Sequence, residues 1–175
     1  MSQVVESVGI DALVHRIAGL LAHGGGVLTS GDVAALRRMD AARAQAPFFK
    51  LAGLVLDEYL SRTSLGRERA ETRWAAIVVG LAHLGELHRQ GIPLGRALVD
   101  AHYSELRFSR LLRADGDQLL DELPALARFL SAKGVGADWS GAAWLILSVG
   151  HAHEERTRRA LARDYYRALG AQDRN

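Results

Sequence analysis

Three groups of arginines hold the densest chemistry in this sequence. Arg37 and Arg38 stand side by side. Arg107, Arg110 and Arg113 recur every third residue. Arg156, Arg159, Arg163 and Arg167 follow near the end. A guanidinium is a planar, permanently charged fork that matches the oxygens of a phosphate. The chemistry on offer is therefore anion binding, and two such groups on one surface would make a track for a phosphate backbone.

Spacing says how the middle group is displayed. An α-helix turns about 100° per residue, so with Phe108 at zero the three arginines fall near 260°, 200° and 140°. Leu111 and Leu112 fall near 300° and 40° on the same scale. The stretch Ser104–Asp115 thus reads as a short helix with an apolar face for a core and an arginine face opposite it. Leu106, near about 160°, stands among the arginines. The last group falls within about 80° on its own helix.

Competing chemistries find little support. There are seven His and no Cys. His83 and His88 would diverge by about 140° on a helix, and His151 and His153 by about 160°. His153-Glu154-Glu155 lacks the second His of a His-Glu-x-x-His site. No metal site is expected, and no cofactor. No Gly-x-Ser-x-Gly elbow occurs. The adjacent pairs Glu154/Glu155 and Asp121/Glu122 would diverge rather than converge on a substrate, so no catalytic residues are expected and no enzyme. Gly24-Gly25-Gly26 lacks the Gly-Lys-Ser/Thr of a phosphate loop. Trp74, Trp139, Trp144, Phe48 and Phe108 sit on apolar faces and read as core.

The 175 residues suit one domain or two small ones, with enough chain to bury a real core. Net charge is only +2, from 22 basic and 20 acidic residues. Each side of residue 102 carries 11 basic and 10 acidic residues, so neither half is a basic tail. Binding to nucleic acid would depend on how charge is segregated over the surface. Twenty of the basic residues are Arg and 2 are Lys. No signal peptide or membrane-spanning run is apparent, so a soluble cytoplasmic protein is expected, without a membrane partner.

The elements that must carry these residues all read as helices. Ser7 is expected to cap a first helix bearing Ile10, Leu13, Val14, Ile17, Leu20 and Leu21, ended by Gly24-Gly25-Gly26. Ser30 and Asp32 open a second, from Gly31 to about Arg43. Pro47 suits the first turn of a third, with Phe48, Leu51, Leu54, Val55 and Tyr59 as its apolar set. The longest helix is expected from Arg67 to Arg89, with Gly80 and Gly85 permitting close packing. Pro93 starts a short helix to about Ala101, and Ser104–Asp115 follows. The next carries Leu119, Leu120, Leu123, Leu126, Ala127 and Leu130, with Arg128 pointing away and Pro124 kinking or dividing it. Asp138 caps a helix from Trp139 to Val149. The last runs from about His153 to Leu169. No stretch alternates with period two. The fold class is all-α, read as two small helical bundles, residues 1–102 and 103–175, joined by a short linker.

An ordered set of short motifs over about residues 31–166 resembles a known family. It comprises Gly31-Asp32-x-x-x-Leu36-Arg37-Arg38, Pro47-Phe48-Phe49 and Pro93-Leu94-Gly95-Arg96-Ala97-Leu98. It continues with Glu105-x-Arg107-Phe108-x-Arg110-Leu111-Leu112-Arg113-Ala114-Asp115, the leucine run with Arg128, Asp138-Trp139 and Arg163-Asp164-Tyr165-Tyr166. The set is similar to the CasB-type small subunit (Cse2 family) of the type I-E CRISPR Cascade complex. The chain departs from that pattern at Ser148-Val149-Gly150, where an aromatic is expected before the glycine. The resemblance implies a non-catalytic helical protein, present as two copies in an RNA-guided complex. It would sit against the backbone and large subunits, with guide RNA and target and displaced DNA as partners, and help hold the R-loop in antiviral defence. Arg37, Arg38, Arg96, Arg107, Arg110, Arg113, Arg128 and Lys133 are then the expected nucleic-acid contacts. The alternative is a helical adaptor that binds only protein, its arginines solvated or neutralised by Glu105, Asp117 and Asp121.

Overall fold

Thr29 accepts the backbone N–H of Asp32 at 3.0 Å, and the Asp32 carboxylate accepts that of Thr29 at 2.9 Å. This reciprocal cap starts one helix of a protein whose described residues form helices and no strands. The structure is a computed structural model describing residues 2–23 and 26–175, with side chains from residue 9 onward. Among the described residues ten α-helices follow in chain order: α1 (Ser2–His23), α2 (Ser30–Arg38), α3 (Ala46–Val55), α4 (Asp57–Arg62), α5 (Arg67–Leu84), α6 (Leu94–Asp100), α7 (Glu105–Arg113), α8 (Gly116–Lys133), α9 (Ser140–Leu147) and α10 (Glu154–Gln172). Short 3-10 turns occupy Ala41–Arg43 and Gly85–Leu87. The all-α class holds. No helix is long and apolar enough to cross a membrane among the described residues.

Several boundaries differ from the sequence reading. α1 begins at Ser2, so Ser7 lies inside it rather than capping it. Gly24 and Gly25 of the expected stop lie outside the described residues. α2 ends at Arg38, because Asp40 turns its carboxylate onto the Ala42 amide and starts a separate 3-10 turn. α5 stops at Leu84 because Gly85 takes a positive φ of 54°. It is shorter than α1, with 18 residues against 22. Leu54, expected in the core, is 48 % exposed, whereas Phe48, Leu51 and Val55 are buried. Pro124 does not divide α8, which runs unbroken from Gly116 to Lys133.

α5 is the central element. Between Ala70 and Leu84 every residue of α5 is buried except Glu71, Thr72 and His83. It packs most extensively on α8 and also touches α1, α2, α4 and α9. The second major pairing joins α6 to α10. Both pairings cross residue 102, so the helices on either side of the expected boundary pack on one another. Trp139 is fully buried against α5. A Cβ placed on Gly80 would lie 2.5 Å from its indole Cζ2, so glycine is what admits the ring. The indole N–H then donates to the Ile77 carbonyl at 3.1 Å, filling its one donor within the core.

Candidate nucleic-acid interface

α7 is built as its spacing implies. The Ser104 hydroxyl caps it by accepting the Arg107 amide at 3.4 Å. Phe108 and Leu111 are buried and Leu112 is half-buried. Phe108 stacks flat on Tyr165 of α10, with ring centroids 3.8 Å apart and planes 6° apart. The Tyr165 hydroxyl donates to the Tyr103 carbonyl at 2.7 Å, tying the start of α7 to the same ring. At the other end Arg158 of α10 donates to the carbonyls of Leu112 and Ala114. Those carbonyls would otherwise be orphaned at the helix C-terminus. One face of α7 is thus fastened, and Arg107, Arg110 and Arg113 are left exposed on the other. Leu106 stands among them, 63 % exposed.

The arginines fall into three kinds by what holds them. Arg73 and Arg158 brace the fold. Arg73, only 8 % exposed, donates from Nη1 to the carbonyls of Ile146 at 3.0 Å and Val149 at 2.9 Å, closing the end of α9. A second kind is neutralised by carboxylates: Arg62 by Glu58, Arg67 by Asp57 and Glu71, and Arg159 by Glu155. Arg96 belongs here too, 3.7 Å from Asp100.

The third kind contains most of the expected contacts. Arg37, Arg38, Arg107, Arg110, Arg113, Arg128 and Lys133 are all exposed. None lies within 4.0 Å of a carboxylate among the described residues. Neutral groups hold several of them instead. Arg37 donates from Nε to the Ala82 carbonyl at 2.8 Å. Arg113 donates from Nε to the Ser109 carbonyl at 3.2 Å. Arg107 lies 5.4 Å above the centroids of both Tyr103 and Phe129, and Lys133 lies 5.8 Å from that of Phe129. Ring faces and carbonyls steady a cation without cancelling its charge, so it remains available to an external anion. Glu105, Asp117 and Asp121 form no ion pair with any of these seven.

The structure brings two subsets together. Arg107, Tyr103, Phe129 and Lys133 make one cluster where α7 meets the end of α8. The charges of Arg37 on α2 and Arg128 on α8 both reach the His83 ring of α5. Burial pushes the His83 imidazole below its ordinary value. The two guanidiniums push it the same way, and the backbone of Arg37 opposes them. No contact joins Arg38, Arg96, Arg110 or Arg113 to either cluster. Of the last arginine group, Arg156, Arg163 and Arg167 are exposed.

Phe129, Tyr103 and His83 did not figure among the expected site residues. Phe129 was open to discovery, since it lies four residues before Lys133 and therefore beneath it on a helix. The bracing arginines gave no such signal, because burial of Arg73 and Arg158 depends on tertiary packing. Trp74, Trp139, Phe48 and Phe108 are core as expected, and Trp144 is half-buried.

One cluster of metal-ligating types also forms: His15, His88 and Asp138, their ligand atoms within 4.8 Å of one another. Its hydrogen bonds account for it without a cation. His88 Nδ1 accepts the Trp139 amide at 3.2 Å, which places the ring proton on Nε2. That Nε2–H then donates to His15 Nδ1 at 2.8 Å. Burial would raise the Asp138 carboxyl, but the amides of Gly91 and Ser140 hold it below its ordinary value.

These features define a class: an all-α protein with a rigid core and exposed arginines left unneutralised. The model of the family CRISPR-associated protein Cse2 matches residues 32–166, and the chain belongs to that family. Membership implies a subunit of a CRISPR Cascade complex, and the family is non-catalytic. No curated protein and no solved structure matches the chain.

Proposed function

We propose that this chain is the small, non-catalytic subunit of a type I-E Cascade complex and that it grips nucleic-acid backbone to stabilise the R-loop. The observation that carries this reading is the set of seven exposed cations that no carboxylate neutralises, four of them held by carbonyls or rings. Exchange of a DNA duplex for an RNA–DNA hybrid is nearly balanced in free energy, so a few backbone contacts are enough to tip it. Cations on rigid helices suit this task, because phosphate contacts position a strand without reading its sequence. The site residues are Arg37, Arg38, Arg107, Arg110, Arg113, Arg128 and Lys133, with Arg96 competing for its own Asp100. The partners are the backbone and large subunits, guide RNA, the target and displaced DNA strands, and a second copy of this chain, in the cytoplasm. Near-zero net charge fits a subunit that binds weakly alone and works inside an assembly.

The test is binding of the isolated chain to duplex DNA, followed by fluorescence anisotropy against salt. Weak binding that Arg107→Glu and Arg110→Glu together abolish, with an unchanged melting temperature, is the expected result. Equal binding by the folded variant would refute the assignment. The protein-only adaptor finds its support in the exposed Leu106, Phe49, Leu54 and Tyr166. It would be favoured by an absence of salt-dependent DNA binding.

A further inference from the structure

A cleft of about 660 Å³ opens between α1, α9 and α10. Ligand clefts run from roughly 300 to 1,000 Å³, so this one has room for a few side chains of a bound segment. Leu94, Leu147 and Leu161 are buried along it, and the half-buried Trp144 stands in its wall. Three carboxylates line it as well, those of Asp11, Asp138 and Asp164, and none makes an ion pair among the described residues. Against them stands Arg156, eight residues before Asp164 and so about 12 Å along α10. The cleft is therefore acidic in a chain whose net charge is +2. Asp11 and Trp144 act as one unit, because the indole N–H donates to the Asp11 carboxylate at 2.7 Å. The His153 ring meets the indole edge to face, with centroids 5.8 Å apart, and steadies it. A carboxylate joined to an indole is a receptor for a cation, since the charge attracts it and the ring face adds a cation–π contact. A nucleic-acid strand would meet repulsion here instead, from three carboxylates against one guanidinium.

We propose that this cleft docks a basic, apolar segment of another protein subunit of the complex. An Arg or Lys of that segment seats against the Asp11–Trp144 pair, and its apolar neighbours cover the three leucines. Asp138 and Asp164 favour further positive charge at the end of the cleft away from Arg156. The inference takes two things from the reading above: the chain works inside a Cascade complex, and its exposed arginines face nucleic acid. The arginines of a second copy are then already engaged, which leaves a different subunit as the occupant.

The experiment uses the full-length chain in a reconstituted Cascade complex. A photo-cross-linking side chain replaces Thr63, half-buried in the cleft wall. Irradiation of the assembled complex should join it to another protein subunit. In parallel, the affinity of the chain for a complex assembled without it is measured for Asp11→Asn with Asp164→Asn. Asparagine at position 11 keeps an oxygen for the indole N–H, so the melting temperature should not change. Affinity should fall by about three- to thirtyfold, the equivalent of two charge contacts. Asp121→Asn with Glu122→Gln, two exposed acids outside the cleft, should bind as wild type does. A cross-link only to nucleic acid, only to a second copy, or to nothing from an incorporated subunit would overturn the inference, as would unchanged affinity of the cleft variant. R-loop yield from the same complexes, if it still depends on the α7 arginines, would leave the nucleic-acid reading standing in each of those cases.

Discussion

The indole of Trp139 rests on Gly80, at a place where even a methyl group would intrude to 2.5 Å. This contact joins the centre of α5 to the start of α9 and leaves the indole N–H on the Ile77 carbonyl. Gly80→Ala removes a helix-weakening glycine, a gain of about 1 kcal/mol. It also forces the ring out of its site, and overpacking of this kind costs about 1–3 kcal/mol, to which the lost hydrogen bond adds about 1 kcal/mol. The net outcome is destabilisation, measurable by urea unfolding. A variant as stable as wild type would contradict the close packing.

Arginines of different kinds should respond differently to removal. Arg73→Met strips two carbonyls at the end of α9 of their donor. Unsatisfied buried groups cost about 1–3 kcal/mol each, so a clear fall in melting temperature is expected. Arg110→Ala touches nothing in the fold and should stay within about 0.5 kcal/mol of wild type. Thermal unfolding of the two variants side by side checks the division. Equal losses would mean that position on the surface does not separate bracing from free arginines.

Acid should weaken the fold in two separate windows. His83 and His88 are held below the ordinary imidazole value, by burial first in both cases. The unfolded chain therefore binds more protons than the folded one as pH drops below about 6.5. Stability is full above that value and declines as pH falls toward the folded-state values. For His88 the geometry agrees, since a proton on Nδ1 would confront the Trp139 amide. Asp138 and Glu154 are held below their ordinary values, so their contribution is lost only at lower pH, in the carboxylate range. Melting temperatures from about pH 7.5 to about pH 5 should fall. A flat or rising profile would contradict the burial of neutral His83 and His88 rings.

Salt should act steeply on DNA binding. Each phosphate neutralised on a duplex contributes about −0.9 to the slope of log affinity against log salt. Removing one unneutralised cation, as in Arg38→Ala, should make the slope shallower by about that amount. Removing Arg62, already paired with Glu58, should leave it unchanged. Salt titrations of both variants decide this, and equal changes in slope would contradict the sorting of arginines by their neighbours.

Much of this architecture was legible in the chain, and the reasons are local. Ser104, Pro47 and Pro93 mark helix starts through short-range chemistry, and the structure begins helices at or beside each. The two faces of α7 follow from a 3.6-residue period alone. What escaped depends on contacts distant in sequence. Pro124 reads as a breaker, yet α8 passes through it because its leucine face is buried against α5. Arg158 stands beside Arg159 and has the same composition, but α7 ends above it and turns it into a brace. Arg37 reaches across to the Ala82 carbonyl of α5, 45 residues away, which no local spacing announces. His15 and His88 lie 73 residues apart, so their bond has no signature in spacing.

The central claim is that unneutralised arginines on α2, α7 and α8 stabilise the R-loop. It is tested most directly in a reconstituted Cascade complex by the yield of R-loop on a matched DNA target. The comparison is between wild-type small subunit and the charge-reversed pairs Arg107→Glu with Arg110→Glu and Arg37→Glu with Arg128→Glu. Each pair should enter the complex, since none of the four residues is buried, and should lower R-loop yield, with a larger deficit at higher salt. Wild-type yield from complexes containing folded, fully incorporated variants would contradict the account.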